Sequence, residues 1–341
     1  MTGRRMVDRW EDDNKIFLGL YIKKRVLPTL YGGIIGDLMG VPVEFRQRGT
    51  FQVQDITGYG TYNQPPGTWS DDTSLTLCLA ENIMEKGNIE DLMSKFVRYQ
   101  ENGYWTPYGK MFDIGRTTVE AITKFKAGVL PEICGGNTEY DNGNGAIMRI
   151  APLAFMFYNE FDFMKKAEII KRYTEITHAH PRAIVGSIIY IEFLLRLYHN
   201  NSFEDSIYQI QKLFNENYDK NHIYCKELTH YKRIFSENFF STPEEEIQSD
   251  GYVVHTLEAA IWCLGNTSSF KEAILKAVNL GGDTDTIASI TGSLAGMYYK
   301  MEGIPDEWLE KIARKQDVDQ LIYDFFQFCS NKAILEEYGS L

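Results

Sequence analysis

The sequence predicts an all-α fold built as one compact domain. Apolar residues recur at helical spacing through most of the 341 residues, whereas sustained alternation of apolar and polar residues is nearly absent. No internal repeat and no Ser/Gly-rich linker marks a domain boundary. With 44% hydrophobic residues, the chain has enough apolar material for a sizeable core.

Cap and stop signals give the order of the helices. The first two predicted helices are 73–84, which follows a Ser-Asp-Asp sequence, and 89–99, which follows Gly87. A proline followed by a broad apolar stripe predicts a buried helix over 182–198. Further helices are predicted over 203–214, 253–264, 270–280, 286–301 and 308–313. The helix 286–301 is predicted to be central, since it contains small residues that let neighbouring helices approach closely: Gly292, Ser293, Ala295 and Gly296.

Three irregular stretches lie between these helices. The first, 46–69, contains two prolines, and the weak alternation of its FQVQDIT part favours a short strand. The others are the glycine-rich stretch 131–145 and the polar stretch 241–251. Loops of this length inside a compact domain are typically functional or mobile.

Charge and cysteine content weigh against several classes of protein. The 35 Lys and Arg residues face 47 Asp and Glu residues, and the net charge of −12 disfavours a general nucleic-acid binder. Five scattered cysteines without a C-x-x-C pair favour neither a disulfide framework nor a zinc site. No uninterrupted apolar run of 18 residues and no signal-type N-terminal stretch occurs. We therefore expect a soluble cytoplasmic protein without membrane contact.

Two acidic clusters, about 200 residues apart, are the strongest chemical signal: SDDT at 70–73 and GGDTDT at 281–286. Each opens a helix, but one cap needs only one residue, and adjacent carboxylates repel each other. Carboxylate and hydroxyl oxygens are hard ligands that suit Mg²⁺, Mn²⁺ or Ca²⁺. The clusters therefore point to divalent cations, and the helix N-termini beside them would favour an anionic phosphate of a substrate.

Three further motifs are weaker signals when taken alone. GDLMGVPVEF at 36–45 presents Glu44 after a proline, although a plain helix end has the same pattern. NGNG at 142–145 suits phosphate binding through backbone N–H groups, and equally suits an ordinary turn. His178 and His180 lie in a turn without a third soft ligand nearby, which favours a structural or substrate-binding histidine over a metal ligand.

Taken in order, GDLMGVPVEF, SDDT, DIGRTT at 113–118, NGNGAIMR, THAHP and GGDTDT resemble the ADP-ribosylglycohydrolase family, from about residue 30 to about residue 300. The resemblance implies that residues 26–341 form one domain, an orthogonal helical bundle that contains a binuclear metal site. Residues 1–25 would form an N-terminal extension of unassigned role. The implied activity is hydrolysis of the bond between ADP-ribose and its acceptor, in an ADP-ribosylated protein or a small ADP-ribose conjugate.

Arginine is the first choice of acceptor, because DIGRTT and NGNGAIMR look most like the bacterial arginine-directed branch of the family. Serine, O-acetyl and nucleobase linkages stay open. Two alternatives also remain: a two-metal phosphohydrolase, since cations held by aspartates also serve displacement at phosphorus, and a non-catalytic ADP-ribose-binding member of the same fold. The product distinguishes the enzymes, because only a glycohydrolase releases free ADP-ribose.

The resemblance also implies roles for single residues. Two Mg²⁺ or Mn²⁺ ions would be held by six residues of the acidic clusters: Ser70, Asp71, Asp72, Asp283, Asp285 and Thr286. Three carboxylates would be catalytic: Glu44, Asp113 and Asp285. Substrate would be bound by Asp113, Gly115, Asn144, Gly145 and one of the two histidines, His178 and His180. Ser70 stands where many relatives have threonine, and it offers the same hydroxyl ligand.

Overall fold

The computed structural model describes the backbone of residues 2–339 and the side chains of residues 11–339. These residues form thirteen α-helices and several short 3₁₀ turns, without a β-strand, so the predicted all-α class is confirmed. The helices are α1 Thr2–Gly40, α2 Asp71–Met84, α3 Ile89–Asn102, α4 Arg116–Lys126, α5 Phe163–Glu175, α6 Pro181–Tyr198, α7 Phe203–Asn217, α8 Ile223–Leu228, α9 Val253–Gly265, α10 Phe270–Asn279, α11 Thr284–Tyr299, α12 Asp306–Leu309 and α13 Lys315–Tyr338.

The short strand expected in the FQVQDIT segment is wrong. Val53 and Ile56 are buried but lie three residues apart, so burial does not follow the two-residue alternation of a strand, and over residues 2–339 no strand pairs with this segment. Instead, the side-chain amide of Asn279 on α10 binds the backbone N–H and carbonyl of Val53 at 2.7 and 3.0 Å. The segment is therefore an extended stretch that is docked on a helix by one side chain.

The N-terminal region forms the single helix α1, and the predicted boundary between residues 25 and 26 lies inside it. Arg25 is buried and donates hydrogen bonds to the carbonyl oxygen of Tyr198 at 3.1 Å and to the side chain of Asn200 at 2.8 Å. By length and composition alone, α1 is apolar enough to cross a membrane, with a window of mean hydropathy 1.4. Because 94% of that window is buried inside the fold, α1 has the character of a core helix.

Helices α1 and α11 pack backbone to backbone along small residues, which confirms that α11 is central. A Cβ atom on Gly36 would lie 1.9 Å from the carbonyl oxygen of Ala288, and a Cβ atom on Gly32 would lie 2.1 Å from that of Gly292. At Gly40 it would lie 2.3 Å from the Cα atom of Asp285. Since no side chain fits at these positions, the end of α1 lies directly against the start of α11.

Candidate active site

Asp37 of α1 orders the backbone at the start of α2. Its carboxylate accepts hydrogen bonds from the backbone N–H groups of Ser70 at 2.9 Å and Thr73 at 3.0 Å. Ser70 in turn caps α2 by accepting from the N–H of Asp72 at 3.3 Å. Burial raises the pKa of Asp37 to about 6. The sequence did not identify this role, because it depends on α1 and α2 meeting in the folded chain.

The turn before α11 is fixed by two other loops. Gly281 and Gly282 both have φ of 73°, and a Cβ atom on Gly282 would lie 2.1 Å from the carbonyl oxygen of Ser249. The carbonyl oxygen of Gly282 accepts a hydrogen bond from the N–H of Phe45 at 2.7 Å, and the N–H of Asp283 donates to Ser249 at 2.8 Å. These contacts bring Glu44 and the second acidic cluster into the same region.

Three carboxylates from the two ends of the chain converge there. Glu44, Asp283 and Asp285 each offer a carboxylate oxygen, and these oxygens all lie within 4.8 Å of one another. The first acidic cluster joins them through Thr286, whose hydroxyl donates to Oδ2 of Asp72 at 3.2 Å. The Ser70 hydroxyl donates to the same Asp72 oxygen, also at 3.2 Å. The two acidic clusters that the sequence places about 200 residues apart thus meet in one site.

Burial and mutual repulsion make this cluster unfavourable when it is fully ionised. Burial, followed by the negative charges of Asp113 and Asp283, raises the pKa of Glu44 to about 8. Burial raises the pKa of Asp113 to about 6, although a hydrogen bond from Tyr62 opposes the shift. The pKa values of three further aspartates are raised well above the ordinary value by burial and neighbouring carboxylates: Asp71, Asp72 and Asp285.

The donor set fits a hard divalent cation. Among the described residues, Glu44 Oε2 and Asp72 Oδ1 are buried without a hydrogen-bond partner, although buried polar atoms normally have one. The side chains of the cluster offer oxygen atoms and neither nitrogen nor sulfur, which suits Mg²⁺ or Mn²⁺ better than Zn²⁺. A cation would both pair with the orphan oxygens and offset the repulsion that raises the pKa values.

A cavity of about 300 Å³ opens above the cluster. Its walls contain most of the residues predicted to be catalytic or to bind substrate or metal: Glu44, Asp71, Asp113, Gly115, Asn144, Gly145, His178, Asp283, Asp285 and Thr286. Ser70 and Asp72 lie behind the wall, in contact with Thr286 through Asp72. A larger cleft of about 520 Å³ near Ile83 and Tyr173 contains none of these residues.

The loop motifs support the cavity in different ways. The backbone N–H of Gly115 donates to Asp71 at 3.4 Å, which joins the DIGRTT segment to the start of α2. The amide of Asn144 donates to Asp283 Oδ2 at 2.8 Å and to the hydroxyl of Thr256 at 2.9 Å. Asn144 therefore holds a carboxylate of the acidic cluster. The NGNG pattern predicted that backbone N–H groups of this turn suit phosphate binding, but the N–H of Asn144 donates to the carbonyl oxygen of Gly251 at 3.1 Å.

Of the two predicted histidines, only His178 lies at the cavity. It is 2% exposed, and its ring is so close to the NGNG turn that a Cβ atom on Gly145 would lie 2.8 Å from Cε1. His180 instead caps α6, because its Nδ1 accepts from the N–H of Arg182 at 3.1 Å, while its Nε2 lies 3.1 Å from Glu139. This placement takes His180 away from the proposed substrate contacts.

Two residues of the site received no role from the sequence, although one of them, Phe45, ends the GDLMGVPVEF motif. Tyr62, in the irregular stretch after α1, hydrogen-bonds the carboxylates of Glu44 and Asp113. Phe45 lines the cavity and is 69% exposed, and its φ of 63° is in the left-handed region that a bulky residue rarely adopts. Both placements depend on the path of an irregular loop, which periodicity does not describe.

Several known proteins are similar to this chain in sequence or in fold. The family model described as ADP-ribosylglycohydrolase matches residues 20–333. The chain is 33% identical over 302 residues to the ADP-ribosylarginine hydrolase Tri1 of Serratia proteamaculans (strain 568), covering 87% of this chain and 78% of that protein. It is 25% identical over 309 residues to the ADP-ribosyl-[dinitrogen reductase] glycohydrolase of Rhodospirillum rubrum, covering 87% and 93%. A solved structure described as an ADP-ribosylglycohydrolase-related protein complex matches with a TM-score of 0.75 and 28% identity, covering 90% of this chain and 99% of that one.

Proposed function

The chain belongs to the ADP-ribosylglycohydrolase family, and from this premise we propose that it releases ADP-ribose from arginine side chains of ADP-ribosylated proteins with the help of two divalent cations. The observation that carries the proposal is the convergence of Glu44, Asp283 and Asp285, with carboxylate oxygens within 4.8 Å of one another, at a cavity of about 300 Å³.

Arginine as the acceptor is supported by a relative and by two motifs. The protein from Serratia proteamaculans that is 33% identical to this chain is named an ADP-ribosylarginine hydrolase. The segments DIGRTT and NGNGAIMR, whose resemblance to the arginine-directed branch suggested this linkage, both supply residues of the cavity wall, among them Gly115 and Gly145.

Six residues of the two acidic clusters would hold the cations, with Glu44 beside them: Ser70, Asp71, Asp72, Asp283, Asp285 and Thr286. When bound, such cations polarise oxygen atoms and offset negative charge. The chain itself orients these ligands: Asp37 fixes the turn at Ser70, Asn144 holds Asp283 at 2.8 Å, and Gly40 lets Asp285 approach α1. Small displacements of such groups are costly to catalysis, so we regard these contacts as part of the machinery.

Glu44 is the group that we assign to proton transfer. Hydrolysis at the anomeric carbon passes through an oxocarbenium-like transition state and needs a group that accepts a proton from the attacking water. Glu44 Oε2 is buried and has no hydrogen-bond partner among the described residues, so this atom is free to accept a proton. Asp113, held by Tyr62, is the second carboxylate at the cavity and carries the charge that faces the developing positive ribose.

The proposal is tested with defined substrates. The full chain would be incubated with arginine-, serine- and acetyl-linked ADP-ribose in Mg²⁺ and in chelator, and free ADP-ribose would be measured. We expect release from the arginine-linked substrate in Mg²⁺ and none in chelator, with an Asp285→Ala variant as the inactive control. Preferred cleavage of another linkage would contradict the assignment of the acceptor, and release of AMP or phosphate would favour a phosphohydrolase.

A further inference from the structure

Arg149, the last residue of the NGNGAIMR motif, is a buried charge that packing does not explain. It is 0% exposed, and no acidic side chain pairs with it among the described residues. Its Nη2 donates to the carbonyl oxygen of Tyr173 at 3.1 Å and to Oγ1 of Thr177 at 2.9 Å, whereas Nε and Nη1 are buried without a partner. Its guanidinium also lies 4.9 Å from the ring centroid of Phe96. Such unsatisfied donors destabilise a fold, so the stability of the chain gives no reason for Arg149.

Thr177 connects Arg149 to His178. Its Oγ1 accepts from Arg149 and lies 2.9 Å from Nδ1 of His178. A guanidinium can only donate, so the Thr177 hydroxyl keeps its own proton available for another acceptor. Over residues 11–339, Nδ1 of His178 is the acceptor that this hydroxyl reaches. The hydroxyl therefore donates to Nδ1, and neutral His178 carries its proton on Nε2.

The protonated nitrogen lies on the side of the ring that meets the cavity. A Cβ atom on Gly145 would lie 3.3 Å from Nε2, and one on Gly143 would lie 3.6 Å from it, so the glycines of the NGNG turn leave room beside this atom. Burial, together with the positive charges of Arg149 and Arg116 and against the opposing charge of Asp141, lowers the pKa of His178 to about 3. The ring is thus neutral as well as buried.

We propose that Arg149 and Thr177 are positioning residues that hold His178 as the Nε2–H tautomer, so that the ring presents a permanent uncharged hydrogen-bond donor to an oxygen of the ADP-ribose group. The identity of the ligand rests on the proposed function, whereas the tautomer does not. The arrangement also gives a reason for glycine at 145, since any side chain there would meet the ring that donates.

Nuclear magnetic resonance of the histidine nitrogens tests the tautomer directly. The full chain would be labelled with ¹⁵N-histidine and loaded with Mg²⁺, and a His178→Gln variant would identify the signals of His178. We expect Nδ1 to resonate as an acceptor and Nε2 as a protonated nitrogen, without change between pH 5 and 8. A protonated Nδ1 in the wild-type chain, or a ring that becomes charged in this range, would overturn the proposal.

Variants then test the route through Thr177. Thr177→Val should mix the two tautomers and raise the Kd of ADP-ribose about tenfold, the effect of one lost hydrogen bond, whereas Thr177→Ser should restore both properties. Thr174→Val is the matched control, because Thr174 is equally buried and its hydroxyl donates to the carbonyl oxygen of Ile170 at 2.8 Å, away from His178. An unchanged tautomer in Thr177→Val would overturn the proposal. A protonated Nε2 in a chain that hydrolyses none of the linkages would support the tautomer and contradict the proposed function.

Discussion

Substitution of Gly36 by alanine tests whether the close contact of α1 and α11 positions the acidic cluster. The added Cβ atom would lie 1.9 Å from the carbonyl oxygen of Ala288 and 2.7 Å from the backbone nitrogen of Ser289, where no flexible side chain can yield. Ordinary van der Waals separation requires the two helices to part by roughly 1.5 Å. Overpacking of a core costs about 1–3 kcal/mol, and a contact between two backbones belongs at the upper end of that range.

The displacement also affects the site, because Asp37 lies next to Gly36 on α1 and Asp285 opens α11. We expect the melting temperature to fall by roughly 5 °C and turnover to fall by about 100-fold, since a misplacement of about 1 Å can cost that much. The assay is thermal unfolding together with release of ADP-ribose in saturating Mg²⁺. Gly19→Ala is the matched control on the same helix, because its Cβ atom would meet only the side-chain hydroxyl of Ser330, at 3.1 Å. If Gly36→Ala melts and turns over like Gly19→Ala, the reasoning is refuted.

Four further predictions concern the site itself. Asp285→Ala should remove the rise in melting temperature that Mg²⁺ produces and should lower turnover at least about 100-fold, and a normal response to Mg²⁺ would remove this residue from the ligand set. Glu44→Gln should keep the response to Mg²⁺ and lower turnover by about 10²- to 10⁴-fold; loss of the response would make Glu44 mainly a ligand. In chelator, the melting temperature should fall as pH rises from 5 to 8. The folded state raises the pKa of Asp37 and Asp113 to about 6 and that of Glu44 to about 8, so the folded chain loses stability as these groups deprotonate. Saturating Mg²⁺ should flatten this dependence, whereas a flat profile in chelator would contradict the prediction. The free energy of unfolding should be about 1 kcal/mol higher for Phe45→Gly than for Phe45→Ala, since only glycine adopts a φ of 63° without strain. Equal free energies of unfolding in denaturant would argue against that strain.

Helices with strong caps and stop signals could be predicted closely from the sequence. The predicted helices 182–198 and 253–264 each differ by one residue from the observed helices Pro181–Tyr198 and Val253–Gly265. A proline or an apolar stripe within each segment defines these helices. In place of the predicted helix 308–313, the structure has a single helical turn, Asp306–Leu309. The strand predicted for the FQVQDIT segment is wrong because a weak alternation of residue types does not provide a partner strand. The side chain of Asn279 holds this extended segment instead.

The acidic residues of the site could also be predicted, whereas the residues that hold them could not. Two clusters of carboxylate and hydroxyl residues are visible in the sequence, and the resemblance to a family predicts that they meet. Asp37, Tyr62 and Thr177 act through contacts with residues on other elements, and no local pattern marks such contacts. For the same reason, the sequence could not distinguish His178 from His180 as the histidine at the cavity. The THAHP motif contains both, and only the folded chain shows that His178 lines the cavity while His180 caps α6.

The pairing of α1 with α11 has a consequence for synthesis of the chain. The hydroxyl of Thr284 donates to the carbonyl oxygen of Gly40, a contact that spans 244 residues. At ordinary rates of translation, roughly 10–50 s pass before α11 can cover the apolar face of α1. During that interval the face of α1 that packs against α11 in the fold has no partner, and exposed apolar surface of this kind favours aggregation of a nascent chain. A chain that stalls before α11 also lacks Asp283 and Asp285, so closure of the core and completion of the acidic cluster are one event, late in synthesis.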